Sequence, residues 1–108
     1  MTVPASELDF SEMQESAGKA CGLLKAMANE ARLMVLCQLI EGEKSVGELQ
    51  DTVGLSQSAM SQHLAVLRDQ DIVATRREGQ SVYYRIANQD ATALMETLHR
   101  RFCETPGK

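Results

Sequence analysis

The sequence predicts a mainly α-helical fold with a β-hairpin wing (α+β), arranged as a winged helix-turn-helix. Two observations lead to this fold class. Two short helical patterns are joined by the segment GLS, and the segment that follows them changes to a period of two around a glycine. Two helices joined in this way and followed by a hairpin form the outline of a winged helix-turn-helix.

The first two helices are predicted from apolar stripes and from signals at their ends. Helix one begins at Phe10, and its apolar residues recur at steps of three and four. Helix two follows Asn29, a favoured N-cap residue, and stops at Gly42. The stripe of helix one is Phe10, Met13, Ala17, Ala20, Cys21, Leu24 and Met27, and that of helix two is Leu33, Leu36, Cys37 and Ile40.

Helices three and four are short, and each begins at a serine. Ser45 opens SVGELQDTVG, which Gly54 ends, and Ser56 opens SQSAMSQHLAVLRDQ. Helix four has two different faces. The apolar face holds Met60, Leu64 and Leu67, and the opposite face, which is nearly uncharged, holds Ser58, Ser61, Gln62 and Ala65.

A hairpin and a last helix complete the prediction. IVATRREGQSVYYRIA alternates on both sides of Gly79, so that Val73, Thr75 and Arg77 on one strand match Val82, Tyr84 and Ile86 on the other. The segment DATALMETLHRRFC returns to helical spacing, with a stripe that ends at Phe102. The 108 residues (1–108) are enough for a single small domain, in which we expect residues 1–9 to be disordered.

Composition limits the classes of protein that the chain can belong to. The start has neither a basic nor an apolar signal region, and no apolar run approaches the roughly 20 residues of a membrane span, so we expect a cytoplasmic protein with no membrane partner. Three cysteines without a CxxC motif argue against a disulfide framework and a zinc ribbon. The net charge of −4 lowers the expectation of DNA binding, but the excess acid lies mainly in residues 1–55.

Helix four and the hairpin carry the features that suit DNA. Gln, Ser and His side chains can form hydrogen bonds with base edges, and small residues let a helix approach the groove. Arg76 and Arg77, near the hairpin tip, suit phosphates or the minor groove. For either feature taken alone, a solvated surface is an equally ordinary explanation.

Three segments carry a family resemblance: ANEARLMVL, LSQSAMSQHLAVLRDQDIV and REGQSVYYRI. With them, the chain from Leu23 to Ala87 resembles the ArsR/SmtB family of bacterial winged-helix repressors. The resemblance implies a homodimer, built from helices over 10–28 and 88–103, that binds a palindromic double-stranded operator and releases it when an inducer binds.

The resemblance also implies site residues. The groove-facing set would be Gln57, Ser58, Ser61, Gln62 and His63, the wing contacts Arg76, Arg77 and Tyr83, and the dimer face Leu94, Met95, Leu98 and Phe102. Two of these assignments have alternatives. A packing or phosphate role for His63 is about as plausible as base readout, and a monomer could bury the stripe of the last helix in its own core.

The two metal sites common in this family lack their ligands here. Ser45 and Gly47 stand where one type of sensor has a Cys-x-Cys pair, and the last helix offers Asp90 with only one histidine, His99. We therefore predict no metal and no cofactor.

The cysteines suggest a different signal. Cys103 lies off the packing stripe beside two arginines, whose charge favours the thiolate, although the negative end of the helix opposes it. Cys37 on helix two and Cys103 on the last helix resemble the cysteine pair of the sulfide- and persulfide-responsive repressors of the BigR, SqrR and HlyU type. The resemblance implies a dithiol that reactive sulfur species oxidise to a disulfide or polysulfide. Cys21 lies on the apolar stripe of helix one, which favours a core role.

Two alternatives stay open. The same DNA-binding protein could respond to peroxide or to a thiophilic metal through these cysteines. A thiol oxidoreductase or a protein-interaction module belongs to another class. The sequence has no CxxC motif, glycine-rich phosphate loop or paired catalytic carboxylates, which argues against an enzyme.

Overall fold

The computed structural model describes residues 10–103. The expected disorder of residues 1–9 lies outside this range. The elements are, in chain order, α1 (Phe10–Met27), α2 (Glu30–Ile40), β1 (Lys44–Ser45), α3 (Val46–Val53), α4 (Gln57–Asp69), β2 (Val73–Glu78), β3 (Ser81–Ile86) and α5 (Gln89–Phe102). The predicted winged helix-turn-helix is confirmed, with α3 and α4 as the helix pair and β2 and β3 as the wing.

Capping side chains define where four of the helices begin. Asn29, Ser45, Ser56 and Asn88 each accept a hydrogen bond from the backbone N–H three residues further on, at 2.9–3.2 Å. Each such bond satisfies one of the unpaired donors at a helix start and stabilises the helix by about 1 kcal/mol. The predicted starts after Asn29, Ser45 and Ser56 are confirmed.

The wing has the predicted pairing but one more strand. Val73, Thr75 and Arg77 oppose Ile86, Tyr84 and Val82, and Gly79 takes a positive φ of 62° in the turn. The prediction of two strands was incomplete, because β1 pairs antiparallel with the other edge of β3, with Ser45 opposite Tyr83. A two-residue strand is too short to show alternation, so the sequence pattern gives no sign of it.

The core lies directly beneath α4. Met60, Leu64 and Leu67 are buried, as the apolar stripe predicts. They pack in one cluster with α2, α3, the wing and α5. The other buried members of that cluster are Ala26, Met27, Val35, Leu36, Leu39, Leu49, Ile72, Val73, Tyr84, Ala91 and Met95.

Helix α1 packs on this core only through its last turns. Ala26 and Met27 are buried, whereas Phe10 and Met13 at its start are exposed. Cys21 is exposed as well, so the core role favoured for it was wrong for the single chain. The apolar spacing is that of a helix, but most of its stripe has no surface of the same chain to cover it. Among residues 10–103, no helix is long and apolar enough to cross a membrane.

Candidate DNA-binding surface and thiol pair

Helix α4 presents a polar surface above the core. Of the five residues predicted to face the groove, four are exposed, and the fifth, His63, is half-buried at the edge of the apolar face. No acidic residue lies in the first turn of α4, so no carboxylate there repels a phosphate. The four exposed residues are Gln57, Ser58, Ser61 and Gln62.

His63 has a partner within the protein. Its ring Nδ1 lies 3.3 Å from Nη1 of Arg32, which belongs to the first turn of α2. The same guanidinium contacts backbone carbonyls at the end of α1. Sequence reasoning did not select Arg32, although arginines near a helix C-terminus often bind its last carbonyl groups.

Arg76 in the wing is held by two carboxylates. Its Nη2 lies 2.9 Å from Oε1 of Glu43 and its Nη1 lies 2.9 Å from Oε2 of Glu78. The guanidinium also stacks over the ring of Tyr83, at 4.7 Å from the centroid. Arg76 and Tyr83, two of the residues predicted to bind DNA from the wing, are thus in contact with each other. Arg77, the next residue of β2, is exposed.

These contacts change the acidity of the groups involved. The hydrogen bonds from Arg76 hold the pKa of Glu43 below its ordinary value, and the two carboxylates raise the pKa of Arg76 above its own. Sequence reasoning missed Glu43. It lies between α2 and β1, 33 positions from Arg76, so no local pattern links the two residues.

The predicted dimer face on α5 divides into exposed and buried parts. Phe102 is 81% exposed, whereas Leu94 and Leu98 are half-buried. Met95 is buried in the core of the same chain, so its side chain is not on the surface formed by the other three. With Leu24, Met27, Ala28, Leu33 and Thr97, Leu94 and Leu98 line an apolar cleft of about 240 Å³.

The two predicted sensing cysteines lie on helices that pack together, α2 and α5. Cys37 is half-buried against the core. Burial raises the pKa of the Cys37 thiol, and the negative charges of Cys103 and Glu41 raise it further.

Cys103 is in a different environment from Cys37. It caps the C-terminus of α5, where its backbone N–H donates to the carbonyl of His99 at 2.8 Å, and it is exposed. All three cysteines are free thiols. Within residues 10–103, no cluster of three or more His, Cys, Asp or Glu side chains could hold a metal ion.

A capped, polar helix standing on a helix-turn-helix core, with an arginine-bearing hairpin beside it, defines a winged-helix DNA-binding protein. The family follows from comparison with known proteins. The model of the arsR family of bacterial regulatory proteins matches residues 29–75.

Relatives extend the match over most of the chain. The transcriptional activator HlyU of Vibrio cholerae is 50% identical over 97 residues, which cover 90% of each chain. The biofilm growth-associated repressor of Xylella fastidiosa is 40% identical over 102 residues, covering 94% of this chain and 88% of the repressor. The structure of reduced HlyU from Vibrio cholerae superposes with a TM-score of 0.85 at 50% identity, covering 88% of this chain and all of that one. The chain belongs to the arsR family and is a DNA-binding transcriptional regulator.

Proposed function

We propose that this regulator is a homodimeric repressor that releases operator DNA when reactive sulfur species oxidise the Cys37–Cys103 dithiol. The observation that carries the proposal is the packing of α2, which holds Cys37, against α5, which ends at Cys103. In agreement with this packing, burial raises the pKa of Cys37 and the negative charge of Cys103 raises it further. The similarity to HlyU and to the biofilm growth-associated repressor supports the regulatory part. The regulator would act in the cytoplasm and would need no cofactor.

The different surroundings of the two thiols suggest an order of reaction. Cys103 is exposed, so a persulfide can reach it, whereas burial keeps Cys37 protonated. The Cys103 thiolate attacks the outer sulfur of a persulfide RSSH, forms Cys103–S–SH and releases RS⁻. Cys37 then gives up its proton and attacks the sulfur atom of Cys103, which forms the disulfide and expels HS⁻.

A second equivalent of persulfide would lengthen the bridge. If Cys37 is also converted to Cys37–S–SH, its terminal sulfur attacks the sulfur atom of Cys103 and expels HS⁻, which leaves a trisulfide. Each inserted sulfur adds about 2 Å to the reach of the bridge. Thiols too far apart for an ordinary disulfide would then close only with sulfane sulfur, which would distinguish persulfide from peroxide.

In a dimer, a bridge between Cys37 and Cys103 could change DNA binding by changing how the two subunits are placed. Apolar side chains are exposed at both ends of α1 and at the end of α5, which suits a face covered by a second copy of the chain. A bridge between α2 and α5 would bias the placement of two copies of α4, which must lie about 34 Å apart on a palindromic operator. A coupling of about 1–3 kcal/mol would weaken operator binding about 5–150-fold. The exposed side chains are Phe10, Met13, Leu24 and Phe102.

Mass spectrometry combined with operator titration tests the proposal. Reduced protein would be treated with an organic persulfide and, separately, with peroxide, then digested to find the cross-link and titrated onto duplex DNA. We expect a bridge between Cys37 and Cys103 that contains inserted sulfane sulfur, and weaker binding, with persulfide only. An equal disulfide with peroxide would make the protein a general redox switch, and no cross-link with either would contradict the dithiol mechanism.

Serine variants isolate the role of each thiol. Cys37→Ser and Cys103→Ser should each abolish the response while reduced protein still binds DNA. Cys21→Ser is the matched control, because Cys21 is also exposed but lies on α1. A full persulfide response in Cys103→Ser would show that another thiol carries the signal.

A further inference from the structure

Arg32 joins the end of α1 to the middle of α4. Its Nε donates to the carbonyl of Ala26, its Nη2 donates to the carbonyl of Lys25 at 3.3 Å, and its Nη1 lies 3.3 Å from Nδ1 of His63. The planar guanidinium can make all three contacts at once because its donors point in fixed, divergent directions.

The two carbonyl contacts complete the C-terminus of α1. A helix leaves its last four carbonyl groups without a partner inside the helix. Of the last four in α1, the carbonyl of Leu24 accepts from Ala28 N–H and that of Met27 accepts from Asn29 N–H, both at 2.8 Å. The remaining two carbonyl groups, those of Lys25 and Ala26, are the ones that Arg32 binds. A cation there also interacts favourably with the negative end of the helix dipole.

The third contact determines how the ring of His63 can be protonated. Arginine has five N–H donors and no acceptor, so Nδ1 of His63 must accept the hydrogen bond and carry no proton. The proton of the neutral ring is then on Nε2. Because His63 is half-buried at the edge of the polar face of α4, its Nε2–H is the part of the ring left to act as a donor.

We infer that Arg32 is a positioning residue for DNA recognition, which fixes His63 as a hydrogen-bond donor through Nε2 and ties its place to the end of α1. The matching acceptor on DNA is a phosphate oxygen or, in the groove, N7 or O6 of guanine. This inference rests on the proposed DNA-facing role of α4.

Helices α1 and α4 also approach each other beside this contact. A Cβ built on Gly22 of α1 would lie 2.8 Å from Oε1 of Gln70, at the C-cap of α4. That oxygen is the end of an exposed side chain, which can move aside, so the contacts of Arg32 are what tie the position of His63 to the end of α1.

The first experiment measures the tautomer of His63 by NMR in reduced, DNA-free protein. Long-range ¹H–¹⁵N correlation at pH 8 should show Nε2 protonated and Nδ1 as an acceptor, with His99→Gln assigning the signals of the two histidines. A free imidazole already favours this form, so the decisive readout is a change in the Nδ1 signal in Arg32→Lys, because the lysine cannot make the three contacts at once. A proton on Nδ1, or an unchanged Nδ1 signal in Arg32→Lys, would overturn the inference.

The second experiment is a double-mutant cycle on DNA, with a duplex selected by the wild-type chain from a random-sequence library. Arg32→Lys and His63→Asn should each weaken binding about 3- to 10-fold, which is the net effect of one hydrogen bond. His63→Asn keeps an acceptor for Arg32 but has no group at the Nε2 position, and it leaves the end of α1 capped. The double variant should bind DNA with about the same affinity as the single variant that binds more weakly, because the two residues act through one contact.

Controls separate recognition from folding. Arg100→Lys, in the last turn of α5, replaces an arginine away from the α1–α4 junction and should bind like wild type. Thermal melts identify variants that lose the fold. The donor role would be overturned if His63→Asn bound DNA with wild-type affinity. It would also be overturned if the fold-loss of affinity in the double variant equalled the product of the two single losses. A chain with the expected tautomer that binds no DNA would overturn the proposed function and the donor role, while the Arg32–His63 contact would stand.

Discussion

The DNA-facing helix and the thiol pair are built in opposite ways. The polar residues of α4 lie on one short helix, which Ser56 caps and which rests on its own buried stripe. The two cysteines proposed as the sensor lie on α2 and at the C-cap of α5, and only the packing of those helices relates their positions. The first region therefore depends on local structure and the second on the tertiary fold.

The difference shows which region is expected to move. A surface that reads base edges needs a constant shape, and the surface of α4 stands on its buried stripe of Met60, Leu64 and Leu67. Cys37 is half-buried, whereas Cys103 at the end of α5 is exposed, and segments with few buried contacts are generally those where local opening costs least. Under the proposed function, we expect the signal to be received at the end of α5 and to be read out by α4.

The largest expected effect concerns the support of α4. Leu64 is 2% exposed beneath its polar face, so Leu64→Ala should cost about 2–5 kcal/mol in the free energy of unfolding, measured with urea. Val66→Ala is the control, because Val66 lies two residues away on the same helix but is 36% exposed. Equal losses of unfolding free energy in both variants would mean that the buried stripe of α4 does not stabilise the helix.

A smaller effect is expected on the polar face itself. Gln62→Ala should weaken operator binding by about 1–3 kcal/mol if the amide reads a base. Its stability should stay within about 0.5 kcal/mol of wild type, because Gln62 is exposed. Gln89→Ala, at the exposed start of α5, is the control in the same gel-shift titration. Unchanged affinity in Gln62→Ala would remove this residue from the reading surface.

A substitution beside the wing is expected to strengthen DNA binding instead of weakening it. Glu43→Gln should strengthen DNA binding about 2- to 5-fold at low salt, because Arg76 would lose its bidentate partner, keep only the exposed ion pair with Glu78 and reach a phosphate more easily. The dependence of log K on log salt should steepen by about one unit. Glu41→Gln removes the same charge from a residue that pairs with Lys44 instead. An equal gain in Glu41→Gln would assign the effect to net charge.

The subtlest prediction concerns the thiols and pH. Cys103→Ser removes a negative neighbour, so the pKa of Cys37 should fall towards its ordinary value, and the rate of alkylation of Cys37 should rise at a lower pH. Because the pKa of Cys37 is raised in the folded state, its contribution to stability is present below the unfolded pKa of 9.0 and is lost as the pH rises through the folded value. An unchanged alkylation profile would show that the two thiols do not interact.

The sequence predicts the local parts of this molecule well. Caps at Asn29, Ser45 and Ser56, the turn at Gly79 and the buried stripe of α4 all follow from residue types at fixed spacing. These features depend on hydrogen bonds and side chains within a few positions of one another, which a pattern can capture.

Features that depend on distant contacts were missed or only partly predicted. Arg76 looks free in the sequence, but its partner Glu43 comes from the far side of the sheet. Arg32 has its partner on a helix 31 positions away, and the stripe of α1 has the right period but is mostly uncovered by the same chain, apart from Met27 at its end. Helical spacing fixes which residues share a face, whereas what covers that face depends on the rest of the fold or on a second chain.

Ser45 belongs to two structures at the same time. It pairs with Tyr83 in the sheet, and with Glu48 it forms the reciprocal hydrogen bonds that begin α3. The pairing of β1 with β3 therefore joins the sheet directly to the start of α3. We expect the wing and the helix pair to keep a constant separation when the protein binds DNA.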